Sequence, residues 1–414
     1  MILQGGGSRA ALPSFGTTLS ARADCPPKTV GPRATSVSAR GAAGRLLVLL
    51  LVTLFGCGRP DLSAPVLSER LPFYAATDDS SAAVPVDSII QEFLLPEAQL
   101  SVLSGLPFAP DRAYALLVQI PGPGTVDLTR PTEAQRELRR FLNPIARWRA
   151  GSALGHAAVG WRCADDTRLG LVAKSGERNR QGLRLLLAGW GLAAFISDYH
   201  DGFLDRPFAP RSANAGALGR GQARIVAFEI PQAGCEEIRQ SLRDYITAAE
   251  PSVELYTMRA TAQRPLGEGC GGFAMWLALR GGVFAGLQKT LMRPVALSDR
   301  YIGTGREINA AVTPYRAAPN DPPGPVGVLQ ILCGDWEDGR DLGNVEVMDM
   351  ELMLIALERA YARAGPDFAF APRVSSDDVH VQAVAAKADK WLARYRRVTP
   401  VHSGQARAVV LHLD

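Results

Sequence analysis

Hydrophobic and polar residues follow two periodicities along the chain, one typical of strands and one of helices. Short apolar or alternating segments predict strands at 113–120, 154–163, 168–175, 222–230, 326–332 and 407–414. Amphipathic patterns predict helices at 86–105, 132–149, 182–197, 235–249, 271–280, 347–365 and 381–397. A Gly/Asp/Pro loop is expected around His200. These elements together predict the α+β fold class.

An apolar segment, LLVLLLVTLF at 46–55, precedes the predicted body. As a helix it would rise only about 15 Å, half of a bilayer core, so it matches the apolar part of a secretory signal. Leu54, Phe55, Gly56 and Cys57 resemble a bacterial lipobox. That resemblance implies cleavage before Cys57, acylation of its thiol and attachment to membrane lipid on the extracytoplasmic face. The alternative is an ordinary buried strand.

The composition divides the chain into four regions. Residues 1–57 form the leader, of which 1–40 would be untranslated if the true start codon lies downstream. Residues 58–85 are expected to be a tether, and 86–318 the main domain. A Pro-rich break, APNDPPGP, then precedes an α/β extension at 319–414.

The net positive charge of the chain comes from its leader. The whole sequence has a net charge of +4, but residues 1–57 contain six basic side chains and one acidic side chain. The rest is therefore nearly neutral, and its basic residues alternate with acidic ones. This pattern excludes an extended nucleic-acid-binding surface.

Six cysteines are present, and four of them lie in the body: Cys163, Cys235, Cys270 and Cys333. Outside the cytoplasm these could form disulfides. None has the CxxC spacing of a zinc site. GxSxG, P-loop and HExxH motifs are absent as well, so no metal and no cofactor is predicted.

Cys270 and His156 are the candidate catalytic pair. Cys270 follows a glycine turn and precedes a helical pattern, which predicts a position at a helix N-terminus, where the helix dipole favours the thiolate. Such a nucleophile needs a base, and His156 begins a predicted strand. Each residue read singly is more often structural: cysteine in a core and histidine as a surface group.

A third residue follows from the predicted hairpin at 154–175. If Cys163 pairs with Arg168 across the four-residue loop, the residue opposite His156 is Ser175. Ser175 would then orient the imidazole. Glu177 and Asn179 remain alternatives, because a register read from sequence can shift by a residue or two.

The motifs GHAAVGW and GEGCGGFAMWLALRGG resemble those of the circularly permuted papain-like hydrolases, which include NlpC-type cell-wall peptidases and lecithin retinol acyltransferase relatives. The resemblance covers about 110–310. It implies an antiparallel sheet with packed helices, in which the histidine strand precedes the cysteine helix. It also implies that His156 is the base, that Cys270 is the nucleophile and that Ser175 lies on the third-residue strand.

The resemblance implies a membrane-anchored, extracytoplasmic cysteine hydrolase, either an amidase/endopeptidase or an acyl transferase, acting on a cell-wall peptide or an acyl substrate. Two departures support an alternative. Gly269 stands where relatives often have Asn or another polar residue, and Gly271 and Gly272 stand where Ser or Thr is commoner. The alternative is a non-catalytic lipoprotein that uses a degenerate papain-like body as a binding or structural module.

Overall fold

The structure is a computed structural model that describes residues 90–95, 103, 105–122, 130–142, 155–164, 166–176, 178–205, 213–248, 253–308, 311–370, 377–403 and 406–413. The expected leader, Cys57, the tether at 58–85 and most of the predicted helix at 86–105 lie outside this range. Among the described residues, no helix is both long enough and apolar enough to cross a membrane.

The strands of the described chain form one large sheet and two small ones. In chain order they are β1 (Ala113–Ile120), β2 (His156–Arg162), β3 (Gly170–Gly176), β4 (Asp198–Tyr199), β5 (Gly202–Asp205), β6 (Arg224–Ile230), β7 (Met292–Ser298), β8 (Val312–Thr313), β9 (Asp341–Met348), β10 (Arg397–Ser403) and β11 (Ala406–His412). The large sheet has the order β10-β11-β6-β1-β2-β3-β5, and β4-β8 and β7-β9 are separate pairs.

Helices flank this sheet on both faces. They are α1 (Pro131–Leu142), α2 (Arg178–Ala188), α3 (Ala193–Ile196), α4 (Ala213–Gly219), α5 (Gln232–Thr247), α6 (Cys270–Arg280), α7 (Val328–Cys333), α8 (Met350–Ala362) and α9 (Val379–Leu392). With the exception of the parallel pair β6–β11, neighbouring strands of the large sheet are antiparallel. The molecule is therefore an α+β protein with a mixed sheet.

Strand β1 is buried over its whole length because both faces of the sheet are covered. Ala115 and Leu117 face one core, which includes residues of α5, α6, α8 and α9. Leu116 and Val118 face a second core, to which α4 contributes Ala217 and Leu218. This alternation places β1 at the centre of the fold, next to the hairpin that carries the candidate histidine.

A third core lies around the small sheets. Trp190, Tyr301 and Trp336 are buried there together with residues of β7, β9 and α3. The indole of Trp336 donates a hydrogen bond of 3.1 Å to the Ile331 carbonyl in α7, which fixes that short helix to the core. This layer forms much of the wall of the cavity described below.

Several strand and helix predictions are confirmed, including β1, the β2–β3 hairpin, β6 and β11, and the helices that begin at Pro131 and Cys270. The predicted strand at 326–332 is wrong, since this segment contains helix α7. A short apolar segment does not distinguish a strand from a buried helix. The expected loop around His200 is confirmed but short, since His200 and Asp201 connect β4 to β5.

The helix predicted at 182–197 is interrupted. Gly189 and Gly191 have φ values of 98° and 59°, a left-handed backbone that ends α2 and redirects the chain before α3 begins. The helix predicted at 347–365 starts later, at Met350, because the Asp349 carboxylate accepts the Glu351 N–H and caps the helix, while the preceding residues belong to β9.

The C-terminal region, 319–414, was expected to be an extension. Its strands instead complete sheets that begin elsewhere: β10 and β11 extend the large sheet, and β9 pairs with β7. The physical reason is that β6 would otherwise be an open edge, and the apolar residues Val409 and Leu411 cover it.

A disulfide joins Cys163, at the end of β2, to Cys235 in α5 and closes a 72-residue separation. We expect the double substitution Cys163→Ala/Cys235→Ala to lower the free energy of unfolding by about 2–5 kcal/mol, because the crosslink restricts the unfolded chain. Urea denaturation measures this loss, with Cys270→Ala as the control that leaves the crosslink intact. An unchanged midpoint in the double variant would contradict the expectation.

Candidate active site

Cys270 is the first residue of α6, as the sequence predicted. The preceding Gly269 has an extended backbone (φ −78°, ψ 173°), so the chain turns into the helix directly at the cysteine. The side chain is half-buried and carries a thiol rather than a disulfide. At this position the dipole of the first helical turn favours the thiolate.

Close steric contacts surround the two glycines that follow Cys270. A Cβ on Gly272 would lie 2.2 Å from the backbone oxygen of Leu266, and one on Gly271 would lie 2.0 Å from the Met350 sulfur. Ser or Thr at 272 would clash with fixed backbone, whereas at 271 it would require the Met350 side chain to move. This departure from the papain-like pattern therefore reflects close packing around the cysteine.

His156, the first residue of β2, is hydrogen-bonded to Cys270. Burial lowers the pKa of the imidazole, but the hydrogen bond to Cys270 and the negative charges of Cys270 and Asp205 more than offset this, so the pKa is raised above its usual 6.5. Among the described residues Nε2 is buried and has no hydrogen-bond partner, which assigns the thiol contact to Nδ1. The pair thus favours an imidazolium beside a thiolate.

The hairpin register is confirmed. Ala158 lies opposite Ala173 and Val159 opposite Val172, and the same register places His156 opposite Ser175. Gly170 makes this pairing possible, since a Cβ there would lie 2.2 Å from the ring of its partner Trp161. The predicted residues His156, Ser175 and Cys270 are therefore brought to one region of the fold.

Asp205 raises the pKa of His156 through its negative charge, and it was not among the residues predicted from the sequence. It ends the edge strand β5 and is 1% exposed. Its Oδ2 accepts a 2.6 Å hydrogen bond from the Ser175 hydroxyl, whereas Oδ1 is buried and has no partner within the described part of the chain. Ser175 thus orients Asp205, and Asp205 is the better candidate to orient the imidazole.

Sequence alone offered one signal for Asp205. An acidic residue follows the apolar pair Phe203-Leu204, which is typical of a carboxylate at the end of a strand. The expectation of a loop around His200 concealed this pattern. His200 itself lies elsewhere, exposed, with Nε2 3.0 Å from the Thr313 hydroxyl.

A cavity of about 220 Å³ opens at Cys270. Its wall is mostly apolar and comes from β1, α1, α3, β7, β9 and the start of α8. Residues that represent these elements are Ile120, Leu138, Phe195, Leu297, Val347 and Met350. Such a space accommodates an apolar group whose reactive end lies at the thiol.

Polar groups also line the cavity, among them Gln119 and Tyr256. The Cys270 N–H donates to the Tyr256 hydroxyl at 3.4 Å. The Gln119 side-chain amide donates to the Met350 carbonyl at 2.8 Å, and its Oε1 is buried without a partner among the described residues. Both of these donors are therefore already engaged within the protein.

Within the described residues, no cluster of three or more His, Cys, Asp or Glu side chains is arranged to hold a metal ion. Comparisons with protein-family models, curated proteins and solved structures find no match. The chemistry of the site is therefore inferred from its own geometry.

We expect Gly272→Ala to disturb the site, because the new methyl group would meet the Leu266 carbonyl. The free energy of unfolding should fall by about 1–3 kcal/mol, the usual range for overpacking. Gly324→Ala is the matched control, since nothing lies within 4 Å of a Cβ there. Equal denaturation midpoints for the two variants would show that the packing at α6 is not close.

We expect Asp205→Asn to slow alkylation of Cys270 by iodoacetamide about tenfold or more, because the charge that favours the imidazolium is lost. Ser175→Ala should have a smaller effect, since Ser175 acts through Asp205. Second-order alkylation rates near pH 6.5 give the comparison. A larger loss in Ser175→Ala than in Asp205→Asn would reverse the two roles.

Proposed function

We propose that this protein is a cysteine-dependent acyl-transfer enzyme in which Cys270 is the nucleophile and His156 the general base. One observation carries the proposal: Cys270, which is hydrogen-bonded to His156, lines an apolar cavity. The order of the histidine strand and the cysteine helix, with α6 packed on β2 and β3, also supports a permuted papain-like arrangement.

In the proposed reaction the Cys270 sulfur attacks the acyl carbon of an ester or amide and forms a thioester. His156 first accepts the thiol proton and then transfers it to the departing alcohol or amine. Water or an acceptor nucleophile, deprotonated by His156, then attacks the thioester and restores the thiol. The negative charge of Asp205 stabilises the positive charge of the imidazole during both steps.

The cavity favours an acyl chain over a cell-wall stem peptide. Its lining offers few polar partners, so peptide carboxylates placed there would be desolvated without compensation. A hydrocarbon chain would bury its surface favourably at about 0.8 kcal/mol per methylene. Of the amidase/endopeptidase and acyl-transferase alternatives, the site therefore supports the second.

Extracytoplasmic location remains part of the proposal. The Cys163–Cys235 disulfide supports it, because such crosslinks are typical of oxidising compartments. Anchoring through an acylated Cys57 would hold the body near membrane lipid, a source of acyl groups.

The alternative, a non-catalytic binding module, draws its support from the missing polar residue at Gly269. The hydrogen bond between Cys270 and His156, and the raised pKa of the imidazole, favour the enzyme instead. The glycines at 271 and 272 no longer count toward the alternative, since packing requires them.

The test is turnover of a series of acyl esters of increasing chain length by the purified protein. We expect kcat/KM to rise about fourfold per methylene until the cavity is filled, as each buried methylene contributes about 0.8 kcal/mol. Intact-mass measurement should detect an acyl group on the protein.

The control is Cys270→Ala, which should bind the same esters without turnover or acylation. Absence of Cys270-dependent turnover across the whole series, combined with saturable ester binding, would favour the binding module. Turnover of charged stem peptides but not of acyl esters would favour the endopeptidase.

A further inference from the structure

A buried charge cluster lies next to the nucleophile loop. The ammonium of Lys174, a residue with 0% exposure, is 2.6 Å from Oε2 of Glu268. The same carboxylate accepts hydrogen bonds of 2.6 Å from the Tyr245 hydroxyl and from the Arg264 guanidinium. Lys174 also donates to the Tyr245 hydroxyl.

The cluster connects the two halves of the candidate site. Lys174 is on β3, the strand that pairs with the histidine strand β2. Glu268 is two residues before Cys270, in the loop that leads into α6. The Glu268 N–H is bonded to the Thr257 carbonyl at 2.8 Å, so both its backbone and its side chain are held.

Stability does not explain this arrangement. Burial lowers the pKa of Lys174 to about 8, although Glu268 partly offsets this effect. The folded protein therefore holds an ammonium that is easier to deprotonate than in the unfolded chain, which is unfavourable at neutral pH. Replacing such a buried pair by neutral residues of similar size is often neutral or stabilising.

We infer that Lys174 and Glu268 are positioning residues that hold the 264–269 loop against the sheet, so that the Cys270 thiol meets the His156 imidazole. The inference rests on the proposed function, in which Cys270 is the nucleophile. Glu268 is the connecting group, because it alone contacts β3, α5 through Tyr245, and the loop through Arg264.

The cluster also contributes charge. Two cations surround one carboxylate, which leaves a net positive charge near the N-terminus of α6. This charge has the same sign as the positive end of the helix dipole, and both favour a thiolate at Cys270. Removing Lys174 and Glu268 together keeps this net charge, so that change isolates the effect on position.

The experiment compares Lys174→Met/Glu268→Gln with a matched surface pair, Arg359→Gln/Asp389→Asn. The glutamine carbonyl can still accept a hydrogen bond from Arg264, and its amide can donate one to the Tyr245 hydroxyl. Three quantities are measured on the full chain: the denaturation midpoint, the iodoacetamide alkylation rate of Cys270, and the ultraviolet absorbance of its thiolate against pH.

We expect the Lys174→Met/Glu268→Gln midpoint to equal or exceed that of the wild type, while alkylation slows about 10- to 100-fold, as misplacement of a reacting group by about 1 Å can do. The thiolate absorbance should appear at higher pH than in the wild type. The surface pair should change neither alkylation nor absorbance.

Wild-type alkylation and absorbance in Lys174→Met/Glu268→Gln would overturn the inference. If that variant does not fold, Arg264→Lys decides instead, because it keeps the charge and changes only the anchor of the loop: an alkylation rate reduced several-fold supports the inference, and an unchanged rate overturns it. Failure of the proposed function would give a different result from failure of this inference. In that case Cys270 of the wild type would be alkylated no faster than Cys270 of His156→Ala.

Discussion

The close packing of the α6 N-terminus against the sheet is the constraint on which the site depends. Gly272 lies so near the Leu266 carbonyl that no side chain fits between them, and Gly271 packs against the Met350 side chain. This contact places Cys270 at the end of β2, where His156 begins the strand. The glycines therefore fix the relation between nucleophile and base without taking part in the chemistry.

Regions far apart in sequence close the cavity around this pair. Strand β9 pairs with β7 and leads into α8, whose first residue, Met350, contacts both Gly271 and the Gln119 amide. The region after 319 is thus part of the site. It supplies part of the apolar wall of the cavity, and it supplies the strands β10 and β11 that extend the large sheet beyond β6.

The locally determined features could be predicted from the sequence. The glycine turn before Cys270 predicts where helix α6 starts. The four-residue loop after Cys163 predicts the hairpin register, which puts His156 opposite Ser175. Asp205 could not be predicted, because its role depends on β5 joining the sheet edge, a pairing that no local pattern specifies. The Lys174–Glu268 ion pair could not be predicted either, because it joins residues that are 94 positions apart in the sequence.

The most direct test of the account is the pH dependence of Cys270 alkylation in the wild type and in His156→Ala. The raised pKa of His156 means that the imidazolium persists above pH 6.5 and is lost as the pH rises through the raised value. The account predicts that wild-type Cys270 reacts readily near pH 6, whereas in His156→Ala reactivity increases only toward the pKa of an ordinary thiol, near 8.5. Coincident pH profiles would contradict it.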